Sequence, residues 1–434
     1  ALGLMAASEQ IETSTLENTL FLGELSLDGT LRPVAGVLPV AAAAQRMGMK
    51  RLVVPTANGM EAALVEGLEV FGLRSLQEVT QWLRDPQQFA PVRVSPQDLQ
   101  GQSDRYVPDL ADVKGQAHAR RALEIAAAGG HNLLFVGSPG AGKTMLAKRL
   151  PGILPDLSWD EILEVTQIYS VTGLLRQQGN SPDTTYLPLI RDRPFRSPHH
   201  SASGAALVGG GSYPKPGEIS LSHRGVLFLD ELTEFKREVL EVLRQPLEDG
   251  SISISRAKHS VSFPAKTTLV ASTNPCRCGY FGDPVMACTC SPVQRDRYWS
   301  KLSGPLLDRI DLHVRVNRLK PEEMLEIKPG ESSGSVRSRV VAAREVQKDR
   351  FQTDSDITCN AQMQSRHLRE WCELGDRERS VLEGAIRKLG LSARGSDRVL
   401  KVARTLADLS SSDTIQPQHL AEAIQYRSLD RMTS

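Results

Sequence analysis

At 434 residues the chain has room for roughly two to four domains, and its 40% hydrophobic and 24% charged residues are those of a soluble globular protein. Lys and Arg number 52 against 51 Asp and Glu, a net charge of +1 that is silent on nucleic acid, so any phosphate binding has to come from local arrays of basic side chains. Six cysteines in this length exclude a disulfide scaffold, which makes the cytosol the expected compartment, and the longest nearly uninterrupted apolar run, residues 34–44, is far short of the ~20 residues of a membrane span.

The chain opens at Ala1 in what reads as the middle of a helix, without a charged-then-apolar signal segment, so a fragment lacking its native N-terminus is expected. Residues 1–80 read as a small α/β unit, with strand-like pieces at 20–27 and 51–54 and a helix at 39–47. Pro86, Pro91, Pro96 and Pro108 among polar residues mark 81–109 as a linker. Residues 110–327 alternate strands and helices, which predicts an α/β fold on a parallel sheet. A second linker is expected at 328–335, where Lys328-Pro329-Gly330-Glu331 runs into serines. Residues 336–434 are predominantly helical in pattern: Val381, Ile386 and Leu389 share one face, and Val399, Ala403, Leu406 and Ala407 another. No internal repeat or low-complexity tract is present.

Within the second segment, Gly137-Ser138-Pro139-Gly140-Ala141-Gly142-Lys143-Thr144 spells a complete phosphate-binding loop. It follows a buried-strand run, Asn132-Leu133-Leu134-Phe135-Val136, and precedes a helical run, Met145-Leu146-Ala147-Lys148-Arg149-Leu150, the context such a loop requires. The glycines turn backbone N–H groups onto phosphate oxygens, Lys143 would reach the β- and γ-phosphates, and the Thr144 hydroxyl would ligate Mg²⁺. ATP and Mg²⁺ are therefore the expected cofactors.

Val226-Leu227-Phe228-Leu229-Asp230-Glu231 is an apolar strand ending in two carboxylates. After a phosphate loop, Asp230 is the candidate Mg²⁺ ligand, and Glu231 the group that orients and activates the attacking water. Leu269-Val270-Ala271-Ser272-Thr273-Asn274 is a second such strand, and Asn274 would hold that water from the other side. In Leu306-Leu307-Asp308-Arg309-Ile310-Asp311 an arginine sits between carboxylates, as a surface ion pair or as a finger reaching a neighbouring subunit's γ-phosphate. Arg394 and Arg398, at the start of a helix, are candidates for a second phosphate sensor in cis.

Alternation over 251–255 and 260–263 predicts a hairpin with a basic tip, Arg256-Ala257-Lys258-His259. Cys276-Arg277-Cys278 and Cys288-Thr289-Cys290 form two Cys-x-Cys pairs nine residues apart, a set that suits structural Zn²⁺, with reduced buried thiols or a labile disulfide as the alternatives.

Together these parts resemble an AAA+ ATPase. The stretches Arg193-Pro194-Phe195-Arg196-Ser197-Pro198-His199-His200-Ser201 and Gly209-Gly210-Gly211 through Pro216-Gly217-Glu218-Ile219-Ser220 are similar to the magnesium-chelatase-type branch, which carries an insertion in its second helix. Within that branch the chain resembles the ComM (YifB) group of competence-associated ATPases over essentially its whole length. The resemblance implies a Lon-protease-like N-terminal domain, a motor and a helical lid. In the family pattern Arg309 matches the arginine finger and Arg394 the second sensor. A Lon-type protease would need a lysine after Gly36-Val37, but Leu38 stands there, so the first domain is expected to be a non-proteolytic scaffold. A finger acting in trans requires a ring, hexameric by resemblance. The resemblance also implies that the hairpin faces the pore, where Arg256 and Lys258 would grip DNA phosphates, the alternative being a solvated tip; Lys215 in the glycine-rich insertion is a second pore candidate, and Phe195 and Tyr213 are either base-stacking or packing residues. It points to a DNA motor promoting branch migration in recombination and transformation. The alternatives are a chelatase-type motor acting on a protein partner, or an ATP-gated scaffold.

Overall fold

The computed structural model describes residues 1–12, 14–94, 106–175, 189–211, 213–255, 260–318, 330–354 and 357–427. The chain divides into two compact units, residues 1–104 with 157–192, and residues 105–156 with 193–434.

In the first unit, strands Thr19–Phe21, Arg51–Pro55 and Glu69–Leu73 form a parallel sheet with Arg51–Pro55 at its centre. Four of the five residues of that central strand are buried, as expected where a parallel strand is covered on both faces. Helix Val37–Arg46 buries Val37, Leu38, Ala41 and Ala44, a stripe at helical spacing. Leu38, at the position where a lysine base was sought, is fully buried among Leu64 and Leu189. Helix Leu76–Arg84 starts at Ser75, whose side chain accepts the Glu78 N–H. It runs across the expected boundary at residue 80, and Val92 bridges to Val70, so the proline-bearing stretch is tied to the sheet as far as that bridge.

Helix Trp159–Thr172 also belongs to the first unit, although its sequence lies inside the segment expected to form the nucleotide core. It buries Val165, Thr166, Ile168, Tyr169 and Ser170. Glu61, only 6% exposed, holds it in place: its carboxylate accepts the Leu38 N–H at 3.1 Å, the Asn58 side-chain amide at 3.3 Å and the Ser170 hydroxyl. The Gly36 N–H donates to the Ser170 carbonyl at 3.0 Å.

The second unit is built on a five-stranded sheet in the order Leu312–Arg315, Leu133–Val136, Thr268–Thr273, Val226–Leu229, Phe195–Arg196, with every pairing parallel. Strand alternation splits its core in two. Leu133, Phe135, Val226, Phe228 and Val270 face helix Ala117–Gly129 and the C-terminal helices, whereas Leu134, Val136, Leu227, Leu229 and Ala271 face the other way. The second face is covered by the hairpin Ser251–Ser255 and Ser260–Pro264, which buries Ile252, Ile254 and Phe263 as its alternation requires.

The C-terminal helices are Ser333–Arg350, Ser365–Trp371, Asp376–Leu389, Ala393–Leu409 and Pro417–Gln425. The first begins inside the expected second linker, because the Ser332 hydroxyl accepts the Ser335 N–H and caps it. This region shares one apolar core with the sheet, and the Gln347 side chain donates to the Ala128 carbonyl at 3.0 Å. Among the described residues no helix is long and apolar enough to cross a membrane.

Candidate active site

The phosphate loop leaves the C-terminal end of Leu133–Val136 and enters helix Lys143–Ala147. Gly140 and Gly142 adopt φ of 78° and 94°, a backbone that side chains resist and that turns successive N–H groups inward. Gly137 has no room for a side chain, since a Cβ there would lie 2.1 Å from the Val316 carbonyl oxygen. Lys143 Nζ donates to the carbonyls of Gly137 at 2.6 Å and Ser138 at 3.1 Å, and to Asn274 Oδ1 at 3.1 Å. Burial lowers the Lys143 pKa from its ordinary value, and the nearby charges of Asp230 and Glu231 oppose that shift.

Strands Val226–Leu229 and Thr268–Thr273 flank one another and deliver their polar ends to the same place. The Thr144 hydroxyl donates to Asp230 Oδ2 at 2.8 Å, the Ser272 hydroxyl to Asp230 Oδ1, and the Glu231 N–H to the same Oδ1 at 3.1 Å. A hydroxyl and a carboxylate side by side form the hard-oxygen donor set that Mg²⁺ prefers. With the inward N–H groups and Lys143, these residues fit ATP with Mg²⁺. Glu231 is exposed and sits at φ 53°, with Oε2 3.3 Å from His200 Nδ1. Behind strand Thr268–Thr273, the Tyr298 hydroxyl meets Thr233 and Thr273 at 2.5 and 3.4 Å, and Trp299 Nε1–H donates to the Pro275 carbonyl at 3.1 Å.

The structure thus brings together Lys143, Thr144, Asp230, Glu231 and Asn274. Arg309, Arg394 and Arg398 lie elsewhere. Asn132 opens the phosphate-loop strand and donates from Nδ2 to the Arg309 carbonyl at 3.0 Å, and Arg398 Nη1 pairs with Asp311 at 2.6 Å. The five residue steps from Asn132 to Gly137 span roughly 16 Å. All three arginines therefore gather at the far end of the sheet from their own phosphate loop. The expectation that Arg394 or Arg398 serves that loop in cis does not hold in this arrangement. Instead Arg309, 6% exposed, and Arg394 converge on one carboxylate, Glu248, the latter pair at 3.7 Å.

Three partners escaped the sequence reading: Ser272, His200 and Glu248. Ser272 stood in the quoted strand and His200 in the quoted His-His pair, but nothing in the spacing says which side chain either one meets. Of the nucleic-acid candidates, Arg256 and Lys258 lie outside the described residues. Lys215 is exposed on the short strand Lys215–Pro216, and Tyr213 is exposed. Phe195 stacks on Phe228 with ring centroids 6.0 Å apart, which makes it a packing residue.

Residues 109–324 match the family profile for magnesium chelatase, subunit ChlI, residues 330–427 that for its C-terminal part, and residues 1–58 that described as subunit ChlI of Mg-chelatase. Competence protein ComM of Haemophilus influenzae is 44% identical over 435 residues, taking in 100% of this chain and 82% of ComM. Protein YifB of Escherichia coli is 45% identical over 434 residues, 100% of this chain and 81% of YifB. The chain belongs to the ComM/YifB family. Membership places the second unit among magnesium-chelatase-like AAA+ proteins and implies an ATPase. Within this ComM/YifB chain the four clustered cysteines form a group able to hold a metal ion, their sulfurs all within 4.8 Å of one another.

Proposed function

We propose that this chain is a ring-forming ATPase, acting in the cytoplasm, that couples ATP hydrolysis to movement along single-stranded or branched DNA and so promotes branch migration in recombination and competence. The convergence of Lys143, Thr144, Asp230, Glu231 and Asn274 carries the reading, because it supplies binding, metal ligation and water activation in one place. The name of the relative ComM supports the link to competence.

Bound ATP would supply the phosphoanhydride, and Mg²⁺ would supply positive charge against the phosphates. Residues 140–144 offer N–H groups to the phosphates, and Lys143 neutralises them. Thr144 and Asp230 would hold the metal. Glu231 takes a proton from the attacking water, its carboxylate oriented by His200, while Asn274 holds that water from the opposite side. Arg309 and Arg394 sit too far from their own loop to serve it, which favours a ring, taken here as a hexamer, in which they face the next subunit's nucleotide. The basic hairpin tip and Lys215 are the proposed DNA contacts, because six copies multiply a small local charge.

The test is steady-state hydrolysis with and without single-stranded and branched DNA, with Glu231→Gln as the blank. Stimulation by DNA supports the motor. Hydrolysis indifferent to DNA replaces it with a chelatase-type motor acting on a protein, and no hydrolysis at all leaves an ATP-gated scaffold.

A further inference from the structure

Two residues beyond Asn274 the chain enters a loop that the nucleotide chemistry does not use. Cys276 Sγ lies 3.3 Å from Cys278 Sγ and 3.7 Å from Cys288 Sγ, and the sulfurs of Cys278 and Cys288 are 3.6 Å apart. The fourth, Cys290, accepts the Cys278 N–H at 3.4 Å, and the Cys290 N–H in turn points at Cys288 Sγ at 3.4 Å. These separations far exceed the ~2.05 Å of a disulfide. Four thiolates arranged tetrahedrally at 2.3 Å from one ion stand about 3.8 Å apart, close to what is seen. Backbone N–H groups aimed at the sulfurs offset the negative charge that such a site accumulates. Four soft sulfurs this tightly gathered exclude hard cations and leave no room for a multi-iron cluster between them.

We propose that Cys276, Cys278, Cys288 and Cys290 bind one structural Zn²⁺, and that the metal braces the phosphate loop. On binding, the four thiols give up their protons to solvent and no redox step is involved. The brace follows from what the enclosed loop touches. Gly279 sits at φ 89° with its backbone so close to Pro139 that an added Cβ would fall 2.7 Å from the proline ring. Asp283 accepts the N–H groups of Val285 and Met286 at 2.8 and 2.9 Å, and it lines one cleft with Ser138. Arg318 donates to the Pro139 carbonyl at 3.1 Å from the neighbouring strand end. A loop of this length with no helix or strand of its own has little else to fix it, and it leans on Ser138 and Pro139 while emerging directly from Asn274. Metal and nucleotide are then coupled sites.

The experiment measures metal in the chain purified without chelators, with thiols counted in parallel. One zinc per chain is expected, replaceable by Co²⁺ with the intense visible bands of a tetrahedral cobalt thiolate, and absent from Cys288→Ser. Metal-free folded protein in which these four cysteines titrate as thiols, or are lost to disulfides, overturns the site. Affinity for a fluorescent ATP analogue tests the brace. It should weaken roughly tenfold when a chelator removes the zinc from the wild-type chain, and by linkage the analogue should tighten zinc binding by the same factor. Asp283→Ala should weaken the analogue while retaining the metal. Stripped protein that stays folded and binds the analogue as tightly as the loaded form overturns the brace.

Discussion

Glu231 occupies the left-handed region at φ 53°, a conformation that costs a non-glycine residue on the order of 1 kcal/mol, and that places its carboxylate beside His200 rather than beside Asp230. The two adjacent acids differ in their surroundings, as the roles proposed for them require: Asp230 is tied down by Thr144, Ser272 and a backbone N–H, while Glu231 is exposed and pairs with His200. Glu231→Gln should retain nucleotide binding and lower turnover at least ~100-fold, whereas Lys143→Ala should lose affinity for the nucleotide itself, both read by a fluorescent ATP analogue and by phosphate release. Normal turnover in either variant would remove the site assignment. The identities of Lys143, Thr144, Asp230 and Glu231 were legible because each ends or begins a run whose period announces it. Ser272 and His200 were not, because a single polar residue in a strand or loop carries no mark of its partner.

At the scale of elements, the unbroken apolar run Leu133, Leu134, Phe135 and Val136 decided that both faces of the strand would be buried, and the sheet follows that pattern. Helix Trp159–Thr172 shows the opposite case. Its apolar residues announce a helix, but they fit a surface formed by Val37–Arg46 more than a hundred residues earlier, and no local rule names that surface. The buried Glu61 is the tie. Glu61→Ala strands the Leu38 N–H, the Asn58 amide and the Ser170 hydroxyl together, which should cost about 3 kcal/mol, seen as a lower denaturant midpoint for the first unit. An unchanged midpoint would show the tie to be incidental. The second linker shortened for a related reason: a serine read as part of a linker also caps a helix, as Ser332 does.

At the scale of the whole molecule, Arg309 and Arg394 lie at the far end of the sheet from their own phosphate loop, and in the proposed ring hydrolysis becomes a property of neighbours. Lys143→Ala keeps its arginines but lacks a working loop, and Arg309→Ala keeps its loop but lacks the finger, whose loss should cost roughly 10³-fold in turnover. Mixed, the two variants should recover hydrolysis that neither shows alone, and failure to recover any would exclude action in trans. The packing of the C-terminal helices on the sheet also sets a pH dependence. His131 is fully buried against Thr405, with Nε2 to Oγ1 at 2.8 Å, and beside Asp311, and burial holds its pKa below the ordinary 6.5. The unfolded chain takes up that proton below 6.5 and the folded chain does not, so this stability is complete above 6.5 and is lost as pH falls towards the folded value. The slope should approach about 1.4 kcal/mol per pH unit in denaturant titrations and flatten in His131→Gln. Asp311, held low by Arg398 and His131 against the opposing effect of burial, contributes in a separate window below its ordinary 3.8.

What the sequence determined by itself is what local chemistry and periodicity encode: the phosphate loop, the two carboxylate- and amide-tipped strands, the hairpin, the helical lid and the pairing of cysteines. These are contiguous in the chain, and each needs only its neighbours to be read. The tertiary structure alone decided that Glu248 gathers two distant arginines, that a helix from the middle of the chain completes the first unit, and that the cysteine loop rests on Ser138 and Pro139. Each of those depends on which surfaces meet when the strands fall into the order seen here, and complementarity between surfaces distant in sequence leaves no period or motif behind.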